Sequence, residues 1–278
     1  MTLTEHLREL RHRMFVSFIA IAVASVIGWI YYKPIYSFLR HPADVAVAEL
    51  QAQGQNVSIS VIGGVGSAFG LQLKIAAYVG LVLSSPVWLY QLWRFVTPGL
   101  HRHERRWAFA FLAAAVPLFC LGIAFAYYAL PKGLGVLLGF TPEKTSNIVP
   151  LGDYLTFVLR MCLFFGIGFL LPVLLILLNA AGLVSGRTLW GRWREVIFGT
   201  WVFAAVATPT GDIFNMSLLA IPIMTLIFIA MGIASLNDRR RGRGQPVYDE
   251  WGDDETSPLD TTPSPLDTTP SDLSESTD

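Results

Sequence analysis

Apolar residues gather into six long runs that are separated by polar segments rich in arginine. The runs cover residues 14–32, 71–96, 107–130, 154–183, 196–207 and 213–236. Because a bilayer core about 30 Å thick requires roughly 20 residues of helix, we interpret each run as a membrane-spanning segment. The first run has no small-residue cleavage site and is too long for the apolar part of a secretory signal. The sequence therefore predicts an all-α integral membrane protein with six transmembrane helices.

The fifth run is unusually short. Even as a helix over residues 192–206, its 15 residues would extend only about 22 Å. A tight turn over residues 207–212 separates it from the sixth run. The two runs therefore predict a short helical hairpin, which would thin the bilayer around it.

Prolines inside the predicted spans shape the bundle. A proline in a helix removes one hydrogen bond and clashes with the preceding turn, so kinks are expected. The prolines concerned are Pro86, Pro117, Pro172 and Pro222. We expect the kinked helices to form a concave structure.

Lysine and arginine are distributed unevenly between the connecting segments. Fourteen of them lie on one side of the predicted spans and four on the other. Because positively charged connections stay in the cytoplasm, both termini are predicted to be cytoplasmic and the protein to lie in the cytoplasmic (inner) membrane. The connections at residues 33–70 and 131–153 are then external loops.

The chain divides into three predicted parts. Residues 1–13 are expected to form a cytoplasmic amphipathic helix, since their leucines recur at three- and four-residue steps. Residues 14–236 form the six-span domain, and residues 237–278 form a basic stretch followed by a tail. From residue 245 onward the chain is rich in Asp, Ser, Thr and Pro and includes a tandem SPLDTTP repeat, a composition typical of disorder.

Composition excludes several classes of protein. The chain is 53% hydrophobic and 14% charged, with a mean hydropathy of +0.52, whereas soluble domains carry about a quarter charged residues. Cys120 and Cys162 lie inside apolar runs without a metal-ligand spacing. His101 and His103 stand in an arginine-rich segment that repels cations, so we interpret it as a solvated loop. We expect no metal, cofactor or nucleic acid to bind and no enzymatic activity.

Carboxylates are scarce on the predicted cytoplasmic face outside the tail. They are Glu5, Glu9, Glu104 and Glu195. A carboxylate can bind a guanidinium through two parallel hydrogen bonds, so these positions are candidates for recognising a cationic ligand. The alternative for Glu9 is a local pair with Arg13, four residues later on the same helix face.

Several separated motifs stand out along the chain. They are HLRELRHR at residues 6–13, SPVWLYQLWRFVTPGL at 85–100, HERR at 103–106, GIAFAY at 122–127, TPTGD at 208–212 and LLAIP at 218–222. In this order they resemble the TatC family, the multispanning receptor subunits of the twin-arginine protein translocase. The resemblance covers about residues 4–236.

The resemblance implies export of folded proteins whose signal peptides carry two adjacent arginines. It implies that Glu9 and Glu104 receive those arginines, with Arg11 nearby and Phe95 shaping the site. Two alternatives stay open from the residues themselves. Glu104 could instead pair with a neighbouring arginine at 105 or 106, and Phe95 could be an interface anchor.

Four further positions match the family. Pro42, Pro86 and Tyr127 are implied to shape the outer loop and the concave wall. Asp212 matches the acidic residue of the tight external turn, and it is also a candidate N-cap for the sixth span. Both interpretations of Asp212 can hold together.

Departures from the family pattern concern partner docking. Leu170, Met216 and Phe228 stand where many members carry polar or acidic residues. In the family those polar groups are thought to contact single-span TatA-like and TatB-like subunits. The resemblance otherwise implies an oligomeric complex with such subunits, driven by the proton gradient.

The main alternative is a secondary transporter for a small solute. Ion coupling usually requires an ionisable group near the bilayer midplane. The predicted spans carry no deep acidic residue, and Lys74 and Arg160 lie near their outer ends. A membrane enzyme would require a nucleophile and a base, or a metal constellation, and no such spacing is present in the sequence.

Overall fold

The structure is a computed structural model that describes residues 3–60, 64, 66–96, 104–142, 146–180, 182, 184–208 and 211–240. At residues 3–6, 96, 104–108 and 146 it describes the backbone alone. Within these ranges the chain forms nine helices and two strands. They are α1 (Leu3–Ile30), α2 (Tyr32–Ala52), β1 (Asn56–Ser60), α3 (Ser67–Leu83), α4 (Ser85–Val96), α5 (Glu104–Gly139), β2 (Ser146–Pro150), α6 (Leu151–Ala180), α7 (Gly186–Gly191), α8 (Trp193–Ala207) and α9 (Ile213–Arg240).

Four of the described helices, α1, α5, α6 and α9, are long and apolar enough to cross a membrane. Helices α3 and α4 meet that condition together, as a fifth span bent by 59°. The short fifth run forms α8, whose 15 residues extend about 22 Å. Within the described residues, each of the six predicted apolar runs is mostly helical, and the all-α membrane fold is confirmed.

Helix α1 runs through Arg13 without a break. The expected amphipathic segment and the first span form one helix, Leu3–Ile30. This helix lies very close to α3: a Cβ added at Gly80 would stand 2.6 Å from the carbonyl oxygen of Ile21. Small residues at such crossings let helix backbones approach, which is how membrane helices commonly pack.

The bend between α3 and α4 confirms the kink predicted at Pro86. Helix α3 ends at Leu83 and α4 begins at Ser85, with Pro86 as its second residue. The indole Nε1 of Trp88 donates to the carbonyl oxygen of Leu81 at 2.9 Å, so this carbonyl at the break keeps a partner. Helices α5, α6 and α9 continue through their prolines without a break.

The segments predicted as external connections contain helices and strands within the described residues, while their external position stays a prediction. Residues 32–52 form α2, and α5 continues past Pro131 to Gly139. Strands β1 and β2 pair in parallel, with Asn56 opposite Ser146 and Ser60 opposite Pro150. We call the end of the molecule that holds this sheet the strand end. The opposite end, where α1 begins and α9 finishes, is the basic end.

Helix α2 stabilises its own surface with local polar pairs. The guanidinium of Arg40 donates to the Tyr36 hydroxyl at 3.4 Å and to the Asp44 carboxylate at 3.2 Å. These two hydrogen bonds raise the pKa of Arg40 above its ordinary value. The opposite face of α2 is buried, at Leu39, Ala43, Ala46 and Leu50.

The core lies where α6 packs between α5 and α9. Phe119, Phe165, Leu219 and Ile223 are among the largest fully buried side chains. A Cβ added at Gly122 of α5 would stand 2.6 Å from the backbone oxygen of Phe165, so these two helices also touch through their backbones. This close packing gives the shorter elements at each end a rigid support.

Candidate functional site at the basic end

Glu9 and Arg13 form an ion pair one helical turn apart on α1. The Arg13 Nη2 donates to the Glu9 Oε1. The side chain of Arg13 is 9% exposed and that of Glu9 is 28% exposed, so the pair is mostly shielded from water. The local pair, which the sequence left open as the alternative for Glu9, is therefore confirmed.

Arg13 also joins α1 to α4. Its Nη1 donates to the carbonyl oxygen of Gln91 at 3.5 Å, a long hydrogen bond between residues far apart in the chain. Phe95 lies one turn beyond Gln91 on α4 and is half-buried. The structure thus brings the helix that carries Phe95 against the helix that carries Glu9, and the bend at Pro86 sets the direction of α4.

The surface around Glu9 is an open depression of about 530 Å³. It is lined by Arg8, Glu9, Arg11, His12 and Phe15. Arg11 and His12 are exposed. One carboxylate is therefore set among exposed cations, beside an aromatic ring. Such a surface can accept a guanidinium at the carboxylate, while its arginines donate to peptide carbonyl oxygens or carboxylates.

Glu104 is the first residue of α5. Its side chain lies outside the described part of the structure, as do residues 97–103 that connect α4 to α5. The relative position of the Glu9 and Glu104 carboxylates therefore stays a prediction, as does the alternative pairing of Glu104. The predicted tail, residues 245–278, also lies outside the described residues.

Pro42 and Tyr127 act on one carbonyl group. Pro42 has no N–H, so it cannot donate to the carbonyl oxygen of Phe38, four residues earlier in α2. The Tyr127 hydroxyl on α5 donates to that oxygen at 3.0 Å. The aromatic rings of Tyr127 and Phe38 also stack, with their centroids 4.2 Å apart. The carbonyl oxygen of Leu39, the next residue of α2, accepts from the Tyr154 hydroxyl on α6 at 2.7 Å. These contacts hold α2 against α5 and α6.

Asp212 caps α9, as the sequence predicted. Its Oδ1 accepts from the backbone N–H of Asn215 at 2.7 Å, and its Oδ2 accepts from the Asn215 side chain at 3.0 Å. Asn215 is 1% exposed, and its amide oxygen stands where a Cβ at Gly133 of α5 would lie. The cap therefore also ties the hairpin of α8 and α9 to α5.

Two of the three positions that depart from the family pattern, Leu170 and Phe228, pack against apolar neighbours. Leu170 packs against the buried cluster that contains Leu89 and Trp93. The Phe228 ring lies 6.1 Å from the Trp190 ring. Met216 is half-buried. Apolar packing therefore occupies two of the positions at which the sequence departs from the family pattern.

A buried polar network at the basic end has no counterpart in the sequence predictions. Asp238 accepts from the Asn179 side chain at 2.8 Å and from the backbone N–H of Gly186 at 2.5 Å. Asn237 donates to Asn179 at 2.8 Å. The sequence analysis placed Asn237 and Asp238 outside the six-span domain, in the basic stretch that begins at residue 237, because the composition changes after Leu236. They belong to the fold, since α9 runs to Arg240 and the network joins α6, α7 and α9.

These features define a multi-pass, all-α membrane protein with a carboxylate and arginine site at one end. A family model described as "Sec-independent protein translocase protein (TatC)" matches residues 5–222. The chain belongs to the TatC family. It is therefore a component of the twin-arginine protein translocase and a non-enzymatic transport subunit.

Individual relatives agree with this assignment. The TatC protein of Frankia casuarinae is 44% identical over 267 residues, which are 94% of this chain and 73% of the relative. That of Xylanimonas cellulosilytica is 41% identical over 243 residues, 87% of each chain. A crystal structure described as the twin arginine translocase receptor TatC superposes with a TM-score of 0.70 at 33% identity, covering 83% of this chain and 98% of the other.

Proposed function

We propose that this protein is the receptor that binds twin-arginine signal peptides of folded cargo, and that Glu9 and Glu104 receive the two arginines. Arg11 and Phe95 complete the site. The observation that carries the proposal is the Glu9 carboxylate, which Arg13 holds at the edge of the open depression at the basic end. The receptor named in the matching crystal structure supports the same assignment.

We also propose that the basic end faces the cytoplasm. Helix α1 begins at the basic end and α9 finishes there, so both termini are cytoplasmic in this orientation. Arginines of this end include Arg8, Arg11 and Arg13 on α1, Arg94 on α4, and Arg239 and Arg240 on α9. Positively charged segments of membrane proteins are retained on the cytoplasmic side. We place the protein in the cytoplasmic (inner) membrane accordingly.

Arg13 prepares Glu9 for a ligand. Because the Arg13 guanidinium is buried and also donates to Gln91, it fixes the side-chain conformation of Glu9 before a peptide arrives. A preorganised carboxylate loses less conformational entropy on binding. A signal-peptide guanidinium can then form charge-assisted hydrogen bonds in a partly shielded site, each worth roughly 1.5 to 3 kcal/mol.

Export itself involves further subunits in this proposal. Single-span TatA-like and TatB-like subunits assemble with the receptor into an oligomeric complex, and the proton gradient drives transport. Because Leu170 and Phe228 are packed with apolar neighbours, such subunits would contact these positions through shape and apolar area.

The binding proposal is tested with the purified protein and a labelled signal peptide that carries two arginines. The same peptide with two lysines keeps both charges but loses the planar fork of donors. We expect the wild-type protein to prefer arginine by about tenfold, and Glu9→Gln or Glu104→Gln to remove that preference. Glu195→Gln is the matched control because Glu195 is an exposed acidic residue in the first turn of α8.

A preference for arginine that survives both substitutions would place the site elsewhere. A loss of preference in Glu195→Gln as well would indicate a general charge effect. The proposed site is supported only if Glu9→Gln and Glu104→Gln remove the preference for arginine while Glu195→Gln keeps it.

A further inference from the structure

Exposed arginine and tryptophan side chains gather where α7 meets α8, on neither of the helices that carry Glu9 and Phe95. We call this surface the arginine–tryptophan corner, and its members are Trp190, Arg192, Trp193 and Arg194. The Arg194 guanidinium lies over the Trp193 ring, 5.5 Å from its centroid, in a cation–π contact. The corner therefore presents guanidiniums and aromatic rings together.

Helix α7 holds the corner in a fixed place against α9. At its start, the Gly186 N–H donates to the Asp238 carboxylate, and a Cβ added at Gly186 would stand 2.7 Å from the backbone nitrogen of Ser235. At its other end, the Trp190 ring lies 6.1 Å from the Phe228 ring. Because α7 contacts α9 at both ends, the position of the corner is set by the fold.

The corner lies closer to the strand end than the last turn of α9 does. Phe228, which contacts Trp190, is twelve residues before Arg240, the last residue of α9, and this separation is about 18 Å along the helix axis. Helix α8 begins at Trp193 and extends only about 22 Å, less than the bilayer core of about 30 Å. A bilayer accommodates such a short helix by becoming thinner around it.

The exposed surface of α8 changes from polar to apolar within its first turns. Arg194 is followed at four-residue steps by Phe198, Val202 and Val206, which are all exposed. Helix α8 leads from the corner to the turn that joins it to α9, so these apolar side chains lie on the bilayer side of Arg194. The boundary of the hydrocarbon therefore lies at the corner, the level at which tryptophan rings anchor membrane proteins.

The guanidiniums of the corner call for an anionic partner. Within the part of the chain that the structure describes, neither Arg192 nor Arg194 belongs to an ion pair. Glu195 follows them as a single exposed carboxylate, and the buried Asp238 carboxylate already accepts two hydrogen bonds within the fold. A guanidinium binds a phosphate through two parallel hydrogen bonds. At the boundary of a leaflet, phospholipid headgroups supply that phosphate.

We propose that the arginine–tryptophan corner binds the headgroup of one anionic phospholipid from the leaflet at the basic end. The phosphate lies against Arg192 and Arg194, and the acyl chains extend from the corner along α8 toward the bilayer midplane. An anionic lipid is favoured over a zwitterionic one because the two guanidiniums outnumber the one carboxylate, Glu195. The leaflet surface is then lower at α8 than at the end of α9.

This inference depends on the protein being embedded in a membrane and is independent of the peptide site. The test uses the full-length protein, stripped of lipid in detergent and titrated with phosphatidylglycerol or phosphatidylcholine. Native mass spectrometry counts the bound lipids, and thermal unfolding reports their effect. We expect one phosphatidylglycerol to bind about tenfold more tightly than phosphatidylcholine and to raise Tm. Glycerol phosphate, which lacks the acyl chains, should bind about tenfold more weakly than phosphatidylglycerol.

Variants test whether the headgroup binds at the level of the corner. Arg194→Gln should weaken phosphatidylglycerol binding by about tenfold and leave phosphatidylcholine binding unchanged. Arg194→Lys keeps the charge but loses the planar fork, so its affinity should lie between those of wild type and Arg194→Gln. Arg239→Gln is the matched control, because Arg239 is an exposed arginine in the last turn of α9, and it should retain the wild-type affinity within about twofold. Gel filtration confirms that each variant is folded.

Three results would overturn the proposal. If glycerol phosphate binds as tightly as phosphatidylglycerol, the corner is a phosphate site without a lipid. If Arg194→Gln and Arg239→Gln weaken binding equally, the lipid responds only to the total charge of the basic end. If Arg194→Gln leaves lipid binding unchanged but reduces co-purification of a single-span subunit, the corner contacts that subunit instead.

Discussion

The Tyr127 hydroxyl on α5 donates to the carbonyl oxygen of Phe38 on α2, the same oxygen that Pro42 leaves without its helical donor. The two rings are nearly parallel, with an interplanar angle of 3°. Residues nearly ninety positions apart thus complete one hydrogen bond of α2. This relationship gives a physical reason for finding a proline in α2 and a tyrosine on α5 in the same protein.

Tyr127→Phe should lower the free energy of unfolding by about 1 kcal/mol, since it keeps the ring stack but removes the hydrogen bond. Tyr128→Phe is the matched control, because the Tyr128 side chain is 74% exposed. In a Pro42→Ala background the cost of Tyr127→Phe should shrink, since the backbone N–H of the introduced alanine can donate to the Phe38 carbonyl. Thermal unfolding in detergent gives the stability of each variant. An equal cost of Tyr127→Phe in both backgrounds would contradict this coupling.

Gly80→Ala should separate α1 from α3. The new Cβ would stand 2.6 Å from the Ile21 carbonyl oxygen, and backbone cannot rotate away as a side chain can. We expect a loss of about 1 to 3 kcal/mol in stability. Gly70→Ala on the same helix is the control, because no atom of another described element lies within 4 Å of its added Cβ. A loss of stability in Gly70→Ala of the same size would show that the helix itself, and not the crossing, is sensitive.

Arg13→Gln and Arg11→Gln should have different effects, although the two arginines lie on one helix. Arg13 is 7% exposed and bonds to Glu9 and Gln91, so its loss removes both the ion pair to a partly buried carboxylate and the contact between α1 and α4. We expect a cost of about 2 kcal/mol in stability. Arg11 is exposed, and its substitution should leave the unfolding temperature within error. Equal unfolding temperatures for the two variants would contradict the structural role of Arg13.

Asp238→Ala should destabilise the basic end. The substitution leaves the Asn179 side chain and the Gly186 N–H without their shared acceptor in a buried site. The expected cost is about 3 kcal/mol.

Removal of residues 241–278 should leave both stability and peptide affinity unchanged, since all residues of this network precede the end of α9 at Arg240. A large loss after this truncation would show that the tail contributes to the fold or to the site.

The sequence predicts features of this fold that have local causes. Pro86 marks the break between α3 and α4, and Asp212 marks the start of α9, because a proline and an N-cap act on their own helix. The short α8 follows from the length of its apolar run. The Glu9 and Arg13 pair was also available from the sequence, as a spacing of four residues.

Features with distant causes were not predicted. Strands β1 and β2 pair residues that are ninety positions apart, and each strand is only five residues long, so neither has a recognisable pattern alone. Helix α2 contains Pro42 and several charges, and the side chains that stabilise it come from α5 and α6. The α5 extension past Pro131 was missed because a proline usually indicates a helix boundary.

The most direct test of peptide recognition is a double-mutant cycle between the receptor and the peptide. Binding is measured for wild type and Glu9→Gln, each with the two-arginine peptide and with peptides in which either arginine is replaced by lysine. If Glu9 receives one arginine, the Glu9→Gln substitution and the loss of that arginine should be coupled by about 1.5 kcal/mol or more, and the other arginine should show little coupling. Additive effects for both arginines would contradict direct recognition by Glu9.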